Sequence, residues 1–167
     1  KITITNTLIT GNSTTTGAGG GIYYSSSAVD NFLTINNSTI SANTSNSTNN
    51  SYGGGGIYFR PTVNGNSLTV NSSTFSLNTS QANGGGIFIN NSGVSIDLFI
   101  NGTVFDANSA DASLYGSALG YVTNGGILSI ESCIFKNHVS AGSGTVYIVT
   151  SSSNNSIVNT IFSSNTV

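Results

Sequence analysis

Charged side chains are scarce in this sequence. Three basic and five acidic residues make up 5% of the 167-residue chain, and the net charge is −2. A nucleic-acid partner is therefore not expected, because too few cations are present to neutralise phosphates. No apolar run reaches the ~18 residues of a membrane span. No basic region followed by an apolar block marks a secretion signal at the start of the sequence.

Cysteine is nearly absent, and good helix formers are few. The single Cys133 excludes an internal disulfide framework. It is predicted to be a small buried residue at a tight corner, because equivalent positions in the repeat described next carry Ser or Thr. Glycine, asparagine, serine and threonine dominate the polar residues, and apolar residues alternate with a spacing of two. Both features exclude helix over most of the chain.

One repeat unit recurs along the whole sequence. Its clearest copy spans residues 67–89 and contains an apolar pair (Leu68 and Val70), a core Phe75, Asn78 three residues later, and a Gly run that leads into Ile87. The position of Phe75 recurs at intervals of 27 to 35 residues, as Ile9, Ile40, Phe105, Phe135 and Phe162. The Gly runs recur at one place in each copy and lack the Lys-Ser/Thr of a phosphate loop, so they are predicted to be steric corners.

This repeat predicts an all-β, single-stranded parallel β-helix of about five to six coils, with ~30 residues per coil. One unit cannot bury its apolar side alone, but units stacked ~4.8 Å apart form continuous apolar columns. The predicted coils form one domain, 1–167, and run 1–31, 32–66, 67–96, 97–126, 127–154 and, in part, 155–167. Neither end reads as a polar cap, so a segment of a longer array or an end-to-end stacking subunit is expected.

Equivalent side chains of stacked coils are expected to interact. Asn tolerates left-handed corners, and amides one coil apart can hydrogen-bond. The predicted Asn row comprises Asn12, Asn43, Asn78, Asn108 and Asn165. His138 replaces Asn in the fifth copy and is interpreted as a corner residue. A second row is expected at Asn36, Asn71, Asn101 and Glu131. Asp106 and Lys136, one coil apart, are expected to form a salt bridge.

The surface offers two further sets of candidates. Four aromatic residues are predicted to point outward as an interaction stripe, broken by Gly120, namely Tyr23, Tyr58, Phe88 and Tyr147. Such a stripe is typical of a contact with a neighbouring subunit, a covering segment or a sugar. Candidate N-glycosylation sites in loops are Asn46, Asn49, Asn90 and Asn154.

The repeat resembles a known family. The motifs that carry the resemblance are Phe75-Ser-Leu-Asn78, Phe105-Asp-Ala-Asn108 and Phe162-Ser-Ser-Asn165, paired with Gly20-Gly21-Ile22, Gly55-Gly56-Ile57 and Gly85-Gly86-Ile87. They are similar to the repeats of polymorphic outer membrane proteins and adhesin-like, pectin-lyase-like surface proteins. The resemblance covers essentially the whole chain. It implies a right-handed parallel β-helix displayed outside the cell, in adhesion or surface architecture.

A non-catalytic structural or adhesive role, at the cell surface or in an extracellular filament, is therefore expected, without a cofactor or metal. Expected partners are another copy of the chain, a neighbouring or host protein, or a surface glycan. The alternative is a pectin-lyase-like polysaccharide lyase or hydrolase, since the same fold hosts such enzymes. Its acids would be Asp106 and Asp111 across a corner, with His138 one coil away, because no two acids occupy matching positions of adjacent coils.

Overall fold

The computed structural model describes residues 1–111, 115–140 and 144–166. The predicted domain, 1–167, therefore includes residues 112–114, 141–143 and 167, which lie outside the described residues. All regular elements in the described ranges are β-strands. These ranges contain no helix long and apolar enough to cross a membrane.

Each complete coil contains four short strands. Coil one has β1 (Ile2–Thr5), β2 (Leu8–Thr10), β3 (Ser13–Thr14) and β4 (Ile22–Tyr24). Coil two has β5 (Phe32–Asn36), β6 (Thr39–Ser41), β7 (Thr44–Ser45) and β8 (Ile57–Phe59). Coil three has β9 (Asn66–Asn71), β10 (Thr74–Ser76), β11 (Thr79–Ser80) and β12 (Ile87–Asn91).

The later coils repeat the same order. Coil four has β13 (Ile96–Asn101), β14 (Val104–Asp106), β15 (Ser109–Ala110) and β16 (Leu119–Thr123). Coil five has β17 (Leu128–Glu131), β18 (Ile134–Lys136), β19 (Val139–Ser140) and β20 (Val146–Val149). Coil six is described as far as β21 (Asn155–Val158) and β22 (Ile161–Ser163).

Strands from successive coils pair in parallel and build four sheets. The first sheet runs β1-β5-β9-β13-β17-β21, and the second runs β2-β6-β10-β14-β18-β22. The third contains β3, β7, β11, β15 and β19, and the fourth contains β4, β8, β12, β16 and β20. The pairing follows the repeat: Leu68 lies opposite Leu33 and Leu98, and Phe75 opposite Ile40 and Phe105. The predicted parallel β-helix is confirmed.

The interior consists of stacked columns of like side chains. Strand residues alternate between buried and outward positions, so that Leu68, Val70 and Phe75 are fully buried. The aromatic column of the second sheet is continuous, with ring centroids 5.0, 4.6 and 4.9 Å apart from Phe75 through Phe105 and Phe135 to Phe162. Burying this apolar area supplies the main driving force for folding.

The two corners around the second sheet use left-handed backbone conformations. Before the sheet, positive φ angles occur at Asn6, Asn37, Ser72, Gly102, Ser132 and Asn159. After it, they occur at Gly11, Ala42, Leu77, Ala107, Asn137 and Ser164. The expectation that the row Asn residues themselves take this conformation is wrong, because each left-handed residue of the second set precedes the row position by one. The Asn side chains are needed for hydrogen bonding, not for their tolerance of positive φ.

The Gly runs close the corner between the third and fourth sheets, as predicted. Gly54 has a φ of 69°, and a Cβ there would lie 2.1 Å from the carbonyl oxygen of Ile57. A Cβ on Gly55 would lie 2.4 Å from the Thr79 carbonyl oxygen in the next coil. These contacts are with backbone, which cannot move without breaking the sheet, so only glycine fits.

Candidate functional site

The outer face of the fourth sheet carries a ladder of aromatic rings. Tyr23 lies opposite Tyr58, Tyr58 opposite Phe88, and Gly120 lies between Phe88 and Tyr147. Ring centroids of Tyr23 and Tyr58 are 5.6 Å apart, and those of Tyr58 and Phe88 are 5.7 Å apart. Tyr58 and Phe88 belong to an apolar cluster separate from the interior columns, so the predicted outward direction is correct.

The predicted exposure of this stripe is wrong at its centre. Tyr58 and Phe88 are fully buried, Tyr147 is half-buried, and Tyr23 is 56% exposed. Long corner loops cover the central rings. Tyr52 packs edge-on against Tyr58, with ring centroids 6.1 Å apart, and Ala18 completes the cluster. The stripe is therefore mainly a second small core between the sheet and its own loops.

Tyr115, which the repeat pattern does not indicate, closes the gap at Gly120. Its ring lies 5.9 Å from Phe88 and 4.8 Å from Tyr147, so the ladder is continuous. A Cβ on Gly120 would lie 2.8 Å from the Phe88 ring and 2.7 Å from the Tyr115 carbonyl oxygen. The available signal was an aromatic residue in the corner just before β16, the strand of the fourth sheet whose stripe position is glycine.

The Tyr58 hydroxyl anchors the loop of coil two. It donates a 2.7 Å hydrogen bond to the carbonyl oxygen of Ser51, which also accepts one from Asn90 Nδ2 at 3.1 Å. Burial raises the pKa of Tyr58 to about 12. The phenol therefore stays a neutral donor across the physiological range, and the loop remains fastened to the ladder.

The four candidate glycosylation sites differ in accessibility. Asn49 and Asn154 are exposed, whereas Asn46 and Asn90 are half-buried. The Asn90 side-chain nitrogen, which a glycan would modify, already donates to Ser51. Attachment at Asn90 would disturb the anchored loop, so the other three sites remain better candidates.

The predicted Asn row is present and links the coils. Asn12 Nδ2 donates to Asn43 Oδ1 at 2.9 Å, Asn43 Nδ2 to Asn78 Oδ1 at 3.0 Å, and Asn78 Nδ2 to Asn108 Oδ1 at 2.9 Å. Each of these Oδ1 atoms also accepts the backbone N–H of the preceding row member. The amides of Asn43, Asn78 and Asn108 are fully buried. Removing one would leave unpaired polar groups inside the solenoid.

His138 takes over the role of Asn in this row. The Asn108 N–H donates to His138 Nδ1 at 3.0 Å, and the His138 N–H donates to Asn165 Oδ1 at 3.0 Å. Nδ1 thus stands where the other coils place the amide oxygen, and it also lies 3.0 Å from the Asn108 carbonyl oxygen. Accepting the Asn108 N–H requires the neutral ring with its proton on Nε2. Nε2 is buried without a hydrogen-bond partner among the described residues, so His138 supplies the acceptor of the Asn amide but not its donor contacts. Burial lowers the pKa of His138, which favours this neutral form. The interpretation of His138 as a corner residue is correct.

The second predicted row is only partly hydrogen-bonded. Asn36, Asn71, Asn101 and Glu131 lie opposite one another in the first sheet. Asn71 Nδ2 donates to Asn36 Oδ1 at 3.0 Å. All four side chains point away from the interior and are half-buried or exposed, so water competes for their hydrogen bonds.

The recurring Ser and Thr residues at the corner before the second sheet form a hydroxyl row, whose hydrogen bonds were not predicted from sequence. The Thr7, Ser38 and Ser73 N–H groups donate to the hydroxyl one coil later at 3.1 to 3.3 Å. Each hydroxyl in turn donates to the carbonyl two residues before it, as Ser38 does to Asn36 at 2.7 Å. Cys133 fills the same position and is buried, as predicted. Burial raises the pKa of its thiol and so disfavours a reactive thiolate.

Of the two candidate catalytic acids, Asp106 forms a surface ion pair with Lys136. Lys136 Nζ lies 3.2 Å from Asp106 Oδ2, as predicted, and Asn137 Nδ2 donates to Asp106 Oδ1 at 2.8 Å. The Asn137 hydrogen bond, assisted by Lys136, lowers the pKa of Asp106, whereas a general acid requires a raised pKa. Asp111 is exposed. Residues 1–111, 115–140 and 144–166 contain no group of three or more His, Cys, Asp or Glu side chains that could hold a metal ion.

Comparison of the chain with protein-family models, with curated proteins and with solved structures finds no match.

Proposed function

We propose that this chain is a non-catalytic structural or adhesive β-helix displayed outside the cell, as part of an adhesin stalk or as the repeating unit of a filament. The observation that carries the proposal is the row of buried amides through Asn43, Asn78 and Asn108. It links successive coils by the same uncharged hydrogen bonds, in addition to the four parallel sheets. Repeated nearest-neighbour contacts of this kind suit a rigid spacer.

Two further features support a surface role. The outward positions of the strands are mainly small polar residues, such as Thr34, Thr69, Thr39 and Thr74, which give a hydrated surface of low charge. The only described cysteine is a single buried thiol, so an oxidising environment offers no accessible partner for disulfide exchange.

End-to-end contact between copies is the proposed mode of self-association. Ile2 and Leu8 on coil one are 49% and 65% exposed, and Phe162 on coil six is 47% exposed. Val146, Ile148, Ile157 and Phe162 border a cavity of about 540 Å³ beside the last strands. A further coil, supplied by a neighbouring copy or by the same polypeptide, would cover these side chains and pair with the open strand edges.

Electron microscopy of native material tests the assembly. A filament of stacked copies is expected to show a rise of about 25–30 Å per subunit, from five to six coils at ~4.8 Å. Protease treatment of intact source cells tests display, since an external protein is removed while a cytoplasmic marker survives. An internal location that resists protease on intact cells and is digested only after lysis would contradict the proposal.

Catalysis is tested separately. We expect no release of reducing ends or unsaturated products when the chain is incubated with pectin, xylan or alginate. Turnover that disappears in Asp106→Asn and Asp111→Asn, with the fold intact, would replace this proposal with the polysaccharide enzyme.

A further inference from the structure

A groove lies beside the long corner loop of coil two. It encloses about 310 Å³ and is lined by Thr15 and Thr16 of coil one and by residues 46–49 and Tyr52 of coil two. Coil two is the longest coil, and its corner loop has no counterpart of similar length in coil one. The groove is therefore a local feature of two coils and does not repeat along the solenoid.

The groove wall is uncharged and consists of hydroxyl and amide groups. Every residue that lines it is Thr, Ser, Asn or Tyr. In the part of the chain that the structure describes, the Asn46 side chain and the Thr16 and Thr48 hydroxyls form no hydrogen bond with other protein groups. Such groups both donate and accept, which matches the hydroxyls of a neutral sugar. An anionic ligand would find no cation among the lining residues.

One aromatic ring, that of Tyr52, lines the groove, and other rings of the ladder lie behind it. Tyr52 lines the groove and is held edge-on by Tyr58, at an angle of 77° between the ring planes. Tyr23 packs on Tyr58 at 5.6 Å and is the most exposed ring of the ladder. Apolar C–H faces of pyranose rings pack on aromatic faces, and polar groups around an aromatic wall fix ligand orientation.

The wall is held in place before any ligand arrives. Asn49 Oδ1 accepts the Ser51 N–H at 2.8 Å, and the Asn49 carbonyl oxygen accepts the Tyr52 N–H at 2.9 Å. The Tyr58 hydroxyl fixes Ser51 from below. A ligand would therefore cause little loss of loop entropy on binding.

We propose that this groove binds a neutral saccharide, with Tyr52 as the stacking platform and Asn46 and Asn49 as hydrogen-bonding partners. The proposal deepens the adhesive role and rests on it for its biological meaning. The saccharide has two sources of the same chemistry. It is either a free glycan of another surface or an N-linked glycan of this chain, since Asn46-Ser47-Thr48 and Asn49-Asn50-Ser51 are both acceptor sequences.

The first arm of the test uses the whole chain from a bacterial host that attaches no N-glycans. Cellohexaose, mannohexaose, galactohexaose and chitohexaose are titrated against ¹⁵N-labelled protein, and heparin serves as the anionic comparison. We expect one of the neutral sugars to shift the side-chain amides of Asn46 and Asn49 and the backbone amide of Tyr52. Tyr52→Ala is expected to weaken this binding by about tenfold or more.

Matched variants separate a binding role from a structural one. Tyr147→Ala removes a ladder ring at the other end of the same sheet and is expected to leave sugar binding unchanged. Tyr52→Phe keeps the stacking face and is expected to retain most of the affinity. If Tyr52→Ala alters the amide spectrum beyond the loop, Asn46→Ala and Thr16→Ala replace it, each expected to weaken binding without a ring being lost.

The second arm uses the chain produced in a yeast host that attaches N-glycans. A glycan on Asn46 or Asn49 that resists endoglycosidase in the wild type, and becomes accessible in Tyr52→Ala, would assign the groove to the chain's own glycan. The proposal is overturned if no neutral sugar shifts groove amides and no attached glycan is protected. It is also overturned if heparin binds there more tightly. Protease digestion of intact cells reports display independently, so failure of sugar binding leaves the proposed function standing, and the reverse also holds.

Discussion

Single buried residues in this solenoid act mainly by imitating their equivalents one coil away. His138 is the clearest case, because its ring places Nδ1 where the other coils place an amide oxygen. Cys133 keeps the donation made by the hydroxyl row, from its sulfur to the Glu131 carbonyl oxygen at 3.1 Å. It imitates less well as an acceptor, because sulfur accepts hydrogen bonds more weakly than a hydroxyl oxygen does. At each site the equivalent residues of the other coils show which side chain is usual. Substituting that side chain therefore measures how much stability the His or Cys costs.

His138 should make folding stability pH-dependent. Its pKa is lowered in the folded state, so the unfolded chain binds more protons below about pH 6.5, and stability should fall as pH drops through that value. His138→Asn should remove the contribution of His138 to the loss of stability at low pH, and it should keep the hydrogen bonds of the row. Urea midpoints of both proteins at about pH 7.5 and pH 5 test this. Equal losses in the two proteins would show that the surface carboxylates alone cause the acid sensitivity.

Cys133→Ser should complete the hydroxyl row. A serine oxygen can accept the Thr103 N–H more strongly than sulfur can, and the stronger hydrogen bond should stabilise the fold by roughly 0.5–1.5 kcal/mol. The smaller serine side chain buries less volume, which offsets part of this gain. Cys133→Ala provides neither group and should be less stable than Cys133→Ser by about 1 kcal/mol. Thermal unfolding of both variants gives the comparison. Equal stability of the two would mean that the hydroxyl row contributes nothing at this coil.

At the scale of strands and corners, backbone geometry limits the sequence more than side-chain packing does. The corner after the second sheet needs a left-handed residue in every coil, and coil three places Leu77 there with a φ of 55°. Leu77 is also 61% exposed, so it gains little from burial. The Gly-run corner is stricter, because it combines positive φ with close backbone contact.

Leu77→Gly should therefore stabilise the protein. Glycine is the residue found at the same corner of coil one, at Gly11, and it removes a strain of roughly 1 kcal/mol. Ser76→Gly, one residue earlier within β10, is the control. It should destabilise the protein by about 0.5–1 kcal/mol, because glycine there relieves no strain and only increases the conformational entropy of the unfolded chain. Denaturant unfolding measures both changes. A loss of stability in Leu77→Gly would mean that the exposed leucine packs against something that outweighs its strain.

Gly54→Ala should be among the most damaging single-methyl changes in the chain. It adds left-handed strain and a 2.1 Å contact with the Ile57 carbonyl oxygen, and together these should cost roughly 3 kcal/mol or more. Gly11→Ala has a nearly equal φ of 68° but nothing within 4 Å of the added methyl, so it should cost only about 1 kcal/mol. The difference between their unfolding free energies isolates the steric part. Similar costs would show that the corner relaxes.

At the scale of the whole molecule, stability is expected to vary along the solenoid axis. Each coil contacts only its neighbours, and coils two to four have paired neighbours on both sides in all four sheets. Side chains of coil six are exposed by comparison, with Ile157 at 42% and Ile161 at 57%. A one-dimensional stack of this kind opens most readily from its least covered coils.

Hydrogen exchange of the isolated 167-residue chain should reveal this gradient. Backbone amides of β9 and β13 should exchange slowest, at rates set by global unfolding, and those of β21 and β22 fastest. Addition of a stacking copy at high protein concentration should protect the end strands selectively. Uniform protection along the axis would mean that the coils open only as one cooperative unit.

The sequence by itself determined the period, the strand faces, the columns, the Asn row and the Asp106–Lys136 pair. A stack of equivalent coils turns equal spacing in sequence into contact in space, so Phe75 had to meet Phe105. Only the tertiary structure decided how the loops pack outside the coil. It buried Tyr58 and Phe88, brought Tyr115 beside Gly120, and opened the groove at Tyr52. Loop conformation depends on contacts that do not repeat, and periodicity carries no information about them.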